Sequence, residues 1–176
     1  MLAINIIFAG FVLTLNGISF FEKAKIDQKV KGAANALVGV LIAINAVLQT
    51  ISATTFYEFG FAAAMWLFAA NYLILAFYIF LKAENYGTFG VFSAFATIVS
   101  LIFAIEQIIT LASAYGHWMN GIFIFLWGMW ALLWLQSFLS TFFNNKFINK
   151  LTPYILIANG VLSTFVPGML MVLGVI

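Results

Sequence analysis

Residues 118–143 read WMNGIFIFLWGMWALLWLQSFLSTFF, a stretch without one charged side chain, bounded by His117 before it and by Asn144, Asn145 and Lys146 after it. A helix needs about 20 apolar residues to cross a bilayer core, so this stretch is long enough to span. Within it Phe123, Trp127, Trp130 and Trp134 recur at intervals of four, three and four, which sets the four rings on one helical face. Aromatic residues in membrane helices commonly pack against neighbours or sit in the interfacial belt. Trp118 suits the belt. Trp127, Trp130 and Trp134 begin about nine residues further in, at depths the belt does not reach.

Working outward, the rest of the chain has the same character. Of its 176 residues, 65% are hydrophobic and 7% charged, far from the balance of a soluble domain. Apolar stretches near 2–21, 33–53, 59–81, 88–110, 118–143 and 152–175 are predicted to be six membrane-spanning helices, with no room left for a separate soluble domain. The expected connections are Glu22 to Gly32, Thr54 to Glu58, Lys82 to Gly87, Leu111 to His117 and Asn144 to Leu151. All are short, which makes sequential helices antiparallel neighbours. The expected fold is an all-α integral membrane bundle of six transmembrane helices, residues 1–176 forming a single domain.

Every basic residue is a lysine, and Lys23, Lys25, Lys29, Lys31, Lys82, Lys146 and Lys150 all fall in the first, third or fifth connection. Lysines collect in the cytoplasmic loops of membrane proteins, so both termini are expected outside the cytoplasmic membrane. No Lys or Arg precedes the first apolar run, which argues for a retained span rather than a secretory signal.

The acidic residues are Glu22, Asp27, Glu58, Glu84 and Glu106, of which only Glu106 falls within an expected span, near its outer end. Ion-coupled transporters and proton pumps place ionisable groups near the midplane, so passive passage is the expectation. The absence of cysteine excludes disulfides and thiolate sites. With a single histidine, no nucleophile and base constellation or metal cluster is visible, so neither an enzyme nor a cofactor is expected. Nucleic-acid binding lacks a basic patch.

Polar residues inside the spans are few. Counting about 1.5 Å per residue, Asn16, Tyr72, Trp134 and Asn159 fall at one level, roughly 20 Å from the outer surface. Buried polar groups need partners in hydrocarbon, so these four should turn inward. Pattern alone leaves two readings open: a solute path, or a hydrogen-bond cluster joining helices.

Three segments carry a family resemblance: the opening Met-Leu with Gly10 and the Asn16-Gly17 pair; Trp127-x-x-Trp130-x-x-x-Trp134-Leu135; and Thr152-Pro153 followed by Asn159-Gly160 and Pro167. Weaker matches are Phe56-Tyr57, Tyr72-Leu73, and Asn35 with Gly39. In this order and spacing the chain resembles the bacterial urea and short-chain amide channel family. The resemblance implies a homohexamer in which each six-helix protomer has its own pore, conducting urea or a short-chain amide down its gradient and linked in function to a cytoplasmic urease or amidase. Phe68, Tyr72, Phe123, Trp127, Trp130 and Trp134 match pore-lining aromatic positions, Ile6, Ala9 and Leu13 the aliphatic face opposite, and Asn16 a polar position on the same helix.

Two departures stand out. The acid-gated members resemble one another in a buried glutamate before Gly160, where this chain has Asn159, an amide that cannot titrate. Their external loops are longer and carry several histidines and carboxylates. Here Glu58, Glu106 and His117 are the outer candidates for pH sensing, and acid gating is expected to be weak, absent or differently built.

In the expected mechanism a flat neutral amide slips between aromatic and aliphatic walls, with Trp130 and Trp134 forming an inner constriction with Tyr72 and Asn159, and Phe68, Phe123 and Trp127 lining the outer approach. Bare ions are rejected by the cost of entering a dry constriction. Competing readings are a non-conducting assembly or sensor protein and a secondary transporter for a small neutral solute.

Overall fold

Four of the helices begin at a side chain that caps them. The computed structural model describes residues 2–113 and 117–176; Met1 and residues 114–116, in the middle of the expected fourth connection, lie outside the described residues. Helix α1 spans Leu2–Ile18 and is followed by a single 3-10 turn, Glu22–Ala24. Asp27 then accepts hydrogen bonds from the Lys29 and Val30 amides at 2.8 and 3.0 Å and starts α2, Gln28–Ser52. Thr55 and Glu58 form a reciprocal capping box that starts α3, Phe56–Leu81. Helix α4 spans Gly87–Ala112. His117 and Asn120 form a second box at the head of α5, Trp118–Thr141. Asn145 accepts from Phe147 and Ile148 and starts α6, Lys146–Ala158. That helix continues through a π-helical segment, Asn159–Phe165, into α7, Val166–Val172.

These caps correct the expected boundaries. The second, third and sixth rods start at Gln28, Phe56 and Lys146 rather than near 33, 59 and 152, because a capping side chain satisfies the first amides and lets the helix begin among polar residues. Lys29, Lys31, Glu58, Lys146 and Lys150 therefore sit in helix rather than in loops. The first rod stops at Ile18, short of 21. Among the described residues five rods are long and apolar enough to cross a membrane; α1, at 17 residues, is apolar but shorter.

The rods form a closed antiparallel ring in chain order. The tightest packing joins α2 to α3, α4 to α5, and α1 to the α6–α7 rod, with lighter contacts between these pairs. Small residues allow the close approach. A Cβ on Gly10 would stand 2.5 Å from the Gly160 carbonyl oxygen, one on Gly17 2.8 Å from the Pro153 carbonyl, and one on Gly168 2.9 Å from the Ala3 carbonyl. In membranes helices associate through packing of this kind rather than through burial from water. Ala3 beside Gly168 also puts the two termini at one end of the bundle. The lysine-bearing connections occupy the other.

Alternation of faces explains where the core lies. On α1 the residues Asn5, Ile6, Ala9, Leu13 and Asn16 are buried, whereas Ile4, Phe8 and Phe11 are exposed on the opposite side. An exposed belt of large apolar residues of this kind is what a lipid-facing surface requires.

Candidate functional site

The aromatic face of α5 points into the middle of the ring. Trp127, Trp130 and Trp134 are buried, and so are Phe68 and Tyr72 on α3 and Phe123 one turn outward. The rings of Phe68, Tyr72, Trp127, Trp130 and Trp134 form a continuous chain of contacts. Phe68 meets Trp130 edge-on at 5.1 Å and 86°, and meets Trp134 at 5.1 Å. Trp130 meets Trp127 at 5.1 Å and 79°, and Phe68 also stacks on Tyr72. Edge-to-face pairs at these separations are the geometry the ring quadrupole favours.

Cavities are strung along this chain. Toward the termini a small cavity of about 10 Å³ is lined by Phe103, Glu106, Phe123 and Trp127. A second of about 10 Å³ lies between Ile6 and Ala9 on one side and Phe68 and Trp130 on the other. At the lysine end a wide cavity of about 420 Å³ opens among Leu13, Asn16, Lys31, Asn71, Gln136 and Thr152. Trp134 and Tyr72 are both fully buried. The expected aliphatic face thus opposes the expected aromatic face, with Leu13 and Asn16 at the wide inner chamber.

The four polar groups expected at one level do not join in a common cluster. Asn16 and Asn35 exchange two hydrogen bonds, 3.0 and 2.9 Å, between α1 and α2. The Tyr72 hydroxyl donates to the Ala9 carbonyl at 2.9 Å. Asn159 spends its amide within its own rod, donating to the Ile155 carbonyl and accepting from the Ser163 hydroxyl. The buried indole N–H of Trp134 has no partner, and neither has that of Trp130. A buried donor without an acceptor costs about 1–3 kcal/mol, and such groups in a native fold call for an explanation.

At the terminal end the three candidates for pH sensing are dispersed. Glu58 is part of the α3 cap. His117 Nδ1 accepts the Met119 amide at 3.3 Å as part of the α5 cap. Glu106 bonds to Gln107 and to the Thr110 hydroxyl. Gln107 in turn accepts from Asn120, whose oxygen accepts the His117 backbone amide, so two amides connect Glu106 to the start of α5.

Several contributors were not foreseen. Phe103 on α4 stacks on Trp127 at 4.7 Å and 15°, and Phe61 contacts Phe123 at 5.0 Å. Phe103 is followed four residues later by Gln107, and a polar residue at that helical interval in an apolar span was the available signal. Gln136 bonds to Thr152 across α5 and α6. Asn5, one turn before Ala9, also lines the central cavity.

Compared with known proteins, residues 1–175 match the AmiS/UreI family transporter. The chain belongs to this family. Its members are transporters rather than enzymes, as the residues led one to expect. Among relatives, the acid-activated urea channels of two Helicobacter pylori strains are each 28% identical, the match covering 97% of this chain and 97% of theirs. That alignment runs over 199 positions, more than this chain has residues, so the relatives carry insertions relative to it. Among solved structures, the cryoEM structure of the Helicobacter pylori urea channel in its closed state superposes with a TM-score of 0.78 at 23% identity, covering 98% of both chains. The crystal structure of that urea channel gives 0.72 at 23% identity, over 99% and 98%. The AmiS/UreI fold is therefore that of the present chain throughout.

Proposed function

We propose that this AmiS/UreI protein is a passive channel for urea or a short-chain amide in the cytoplasmic membrane. The carrying observation is the chain of buried rings from Trp127 to Trp134, faced by Ile6 and Ala9, interrupted only by small cavities and opening into a wide chamber at the lysine end. Such a slot passes a flat solute edge-on and resists thick ones. Stripping water from an amide-like group costs several kcal/mol in a wholly apolar medium, and the unpartnered Trp130 and Trp134 donors offset part of that for a carbonyl. A bare ion gains no comparable compensation.

In this reading the single domain crosses six times, α1 included, with both termini outside by the lysine distribution. The lining is Ile6, Ala9, Leu13 and Asn16 against Phe68, Tyr72, Phe123, Trp127, Trp130 and Trp134. Asn159 supports the adjoining rod. The protomers assemble as a homohexamer, each with its own conduit, and supply a cytoplasmic urease or amidase. Glu58, Glu106 and His117 are the groups through which external acid would act.

The test is uptake of urea and of acetamide into vesicles of the purified protein, with and without imposed proton and sodium gradients. Uptake that follows the solute gradient alone supports the channel. Flux that requires an ion gradient would replace it with a coupled transporter, and no flux beyond protein-free vesicles would leave a non-conducting membrane component.

A further inference from the structure

The carboxamides buried in this bundle are spent on other side chains, with one exception. Asn16 pairs with Asn35, Asn5 accepts from Asn45, Asn120 donates to Gln107, Gln136 donates to Thr152, and Asn159 accepts from Ser163. Asn71, the one carboxamide of α3, is 4% exposed and makes no side-chain hydrogen bond among the described residues. An amide in a membrane-spanning helix costs free energy unless something meets it.

Asn71 is not sealed in as the Trp130 and Trp134 indole nitrogens are, since neither its oxygen nor its nitrogen is fully covered. It lines the cavity of about 420 Å³ at the lysine end, whose wall is partly polar, and Leu75 and Ile79 follow it at intervals of four along the same face of α3. The Gln136 oxygen also lacks a partner, but it is covered and its nitrogen is held by Thr152. Tyr72 is the next residue after Asn71 and stacks on Phe68, so the ring chain and the chamber adjoin at Asn71. One water occupies roughly 10–15 Å³ of such space, so the chamber holds a small solute together with several waters.

Resting on the channel reading above, we infer that Asn71 is a binding station for the amide edge of the permeating solute, an N–H and a C=O on the same side of one C–N bond, and that it favours urea and primary amides over secondary amides. Asn71 Nδ2 donates to the solute carbonyl and Oδ1 accepts the N–H beside it, which closes a ring of two hydrogen bonds. The Asn16–Asn35 pair, at 3.0 and 2.9 Å, is the same ring made between two side chains of the protein. The solute's other N–H groups and its second carbonyl lone pair point into the chamber, where water meets them. No donor is left unmet. A secondary amide holds its single N–H trans to its carbonyl, so it makes only one of the two bonds. The station acts where the solute leaves the rings and has yet to regain its water, which lowers the barrier for solutes that pair with it.

The experiment compares acetamide and N-methylacetamide permeability, with urea as the reference solute, in vesicles of the purified protein for wild type, Asn71→Leu and Ser140→Ala. One neutral hydrogen bond corresponds to about three- to tenfold, so Asn71→Leu is expected to lower the acetamide-to-N-methylacetamide ratio by that factor. Sieving by the rings is common to wild type and variant and cancels. Ser140 lines the same chamber but donates to Asn149 at 2.7 Å, so Ser140→Ala is expected to keep the ratio. An unchanged ratio in Asn71→Leu, or an equal fall in Ser140→Ala, overturns the station. If wild type conducts neither acetamide nor urea, the channel reading itself fails and the station falls with it. Should Asn71→Leu not fold, ¹H–¹⁵N spectra of wild type decide: acetamide is expected to shift the Asn71 side-chain amide resonances more than N-methylacetamide does at equal concentration, and equal shifts or none overturn the station.

Discussion

Gly10 and Gly160 meet backbone to backbone: a Cβ on the first would lie 2.5 Å from the carbonyl oxygen of the second, and a Cβ on the second 2.8 Å from the carbonyl oxygen of the first. This contact seats α1 against the π-helical segment, and α1 carries the aliphatic wall of the proposed conduit. The extra residue per turn in that segment goes with Thr164, whose hydroxyl bonds to the Gly160 carbonyl at 2.5 Å and also to the Asn159 carbonyl. π-Helical turns inside α-helices are frequent at functional sites.

Gly10→Val and Gly160→Val are accordingly expected to destabilise the fold by about 1–3 kcal/mol or more, the usual cost of overpacking. Gly128→Ala provides the contrast, since nothing lies within 4 Å of a Cβ there. Alanine in place of a helical glycine is worth roughly 0.5–1 kcal/mol in its favour. Thermal unfolding in detergent measures both, with lowered Tm for the first two and an unchanged or raised Tm for the third.

The reciprocal Asn16–Asn35 pair predicts a coupled response. Asn16→Ala strands the Asn35 Oδ1, its amide nitrogen keeping the Lys31 carbonyl, and Asn35→Ala strands the Asn16 amide, each costing about 1–3 kcal/mol. Removing both leaves neither stranded by the other, so the double variant should lose less than the sum. A double-mutant cycle on unfolding free energy checks this, and strict additivity would count against the pair.

His117 caps α5 through Nδ1, an acceptor that a proton would abolish. Asparagine is as good an N-cap. His117→Asn is expected to leave Tm at pH 7.5 unchanged and urea flux at that pH within about twofold of wild type, since asparagine supplies the same cap. A wild-type flux that changes strongly with acid, and a variant that does not, would identify His117 as the gate.

Much of this fold was legible beforehand because a membrane simplifies the reading. Uncharged runs marked the rods, lysines marked one end, and the four-three-four spacing of Phe123, Trp127, Trp130 and Trp134 marked the inward face of α5. Helix starts were misplaced at Gln28, Phe56 and Lys146, because hydropathy weighs Lys29, Glu58 and Lys146 as loop residues while capping by Asp27, Thr55 and Asn145 lets a helix begin there. Depth alone grouped Asn16, Tyr72, Trp134 and Asn159, but height along a rod says nothing about which neighbour lies across from it. Asn35, Ala9 and Ser163 proved to be the partners. Phe103 was missed because a ring isolated on α4 shows its role only once α5 brings Trp127 against it.

The most direct test of the conduit is stopped-flow measurement of urea and glycerol permeability in vesicles bearing wild type, Trp130→Ala or Trp134→Ala. Removing an indole from between Phe68 and its neighbours should widen the slot. Glycerol entry should rise and the urea-to-glycerol ratio fall by about tenfold, equivalent to roughly 1.4 kcal/mol of discrimination. Wild-type vesicles that take up urea selectively, with both variants showing the same ratio, would contradict the account.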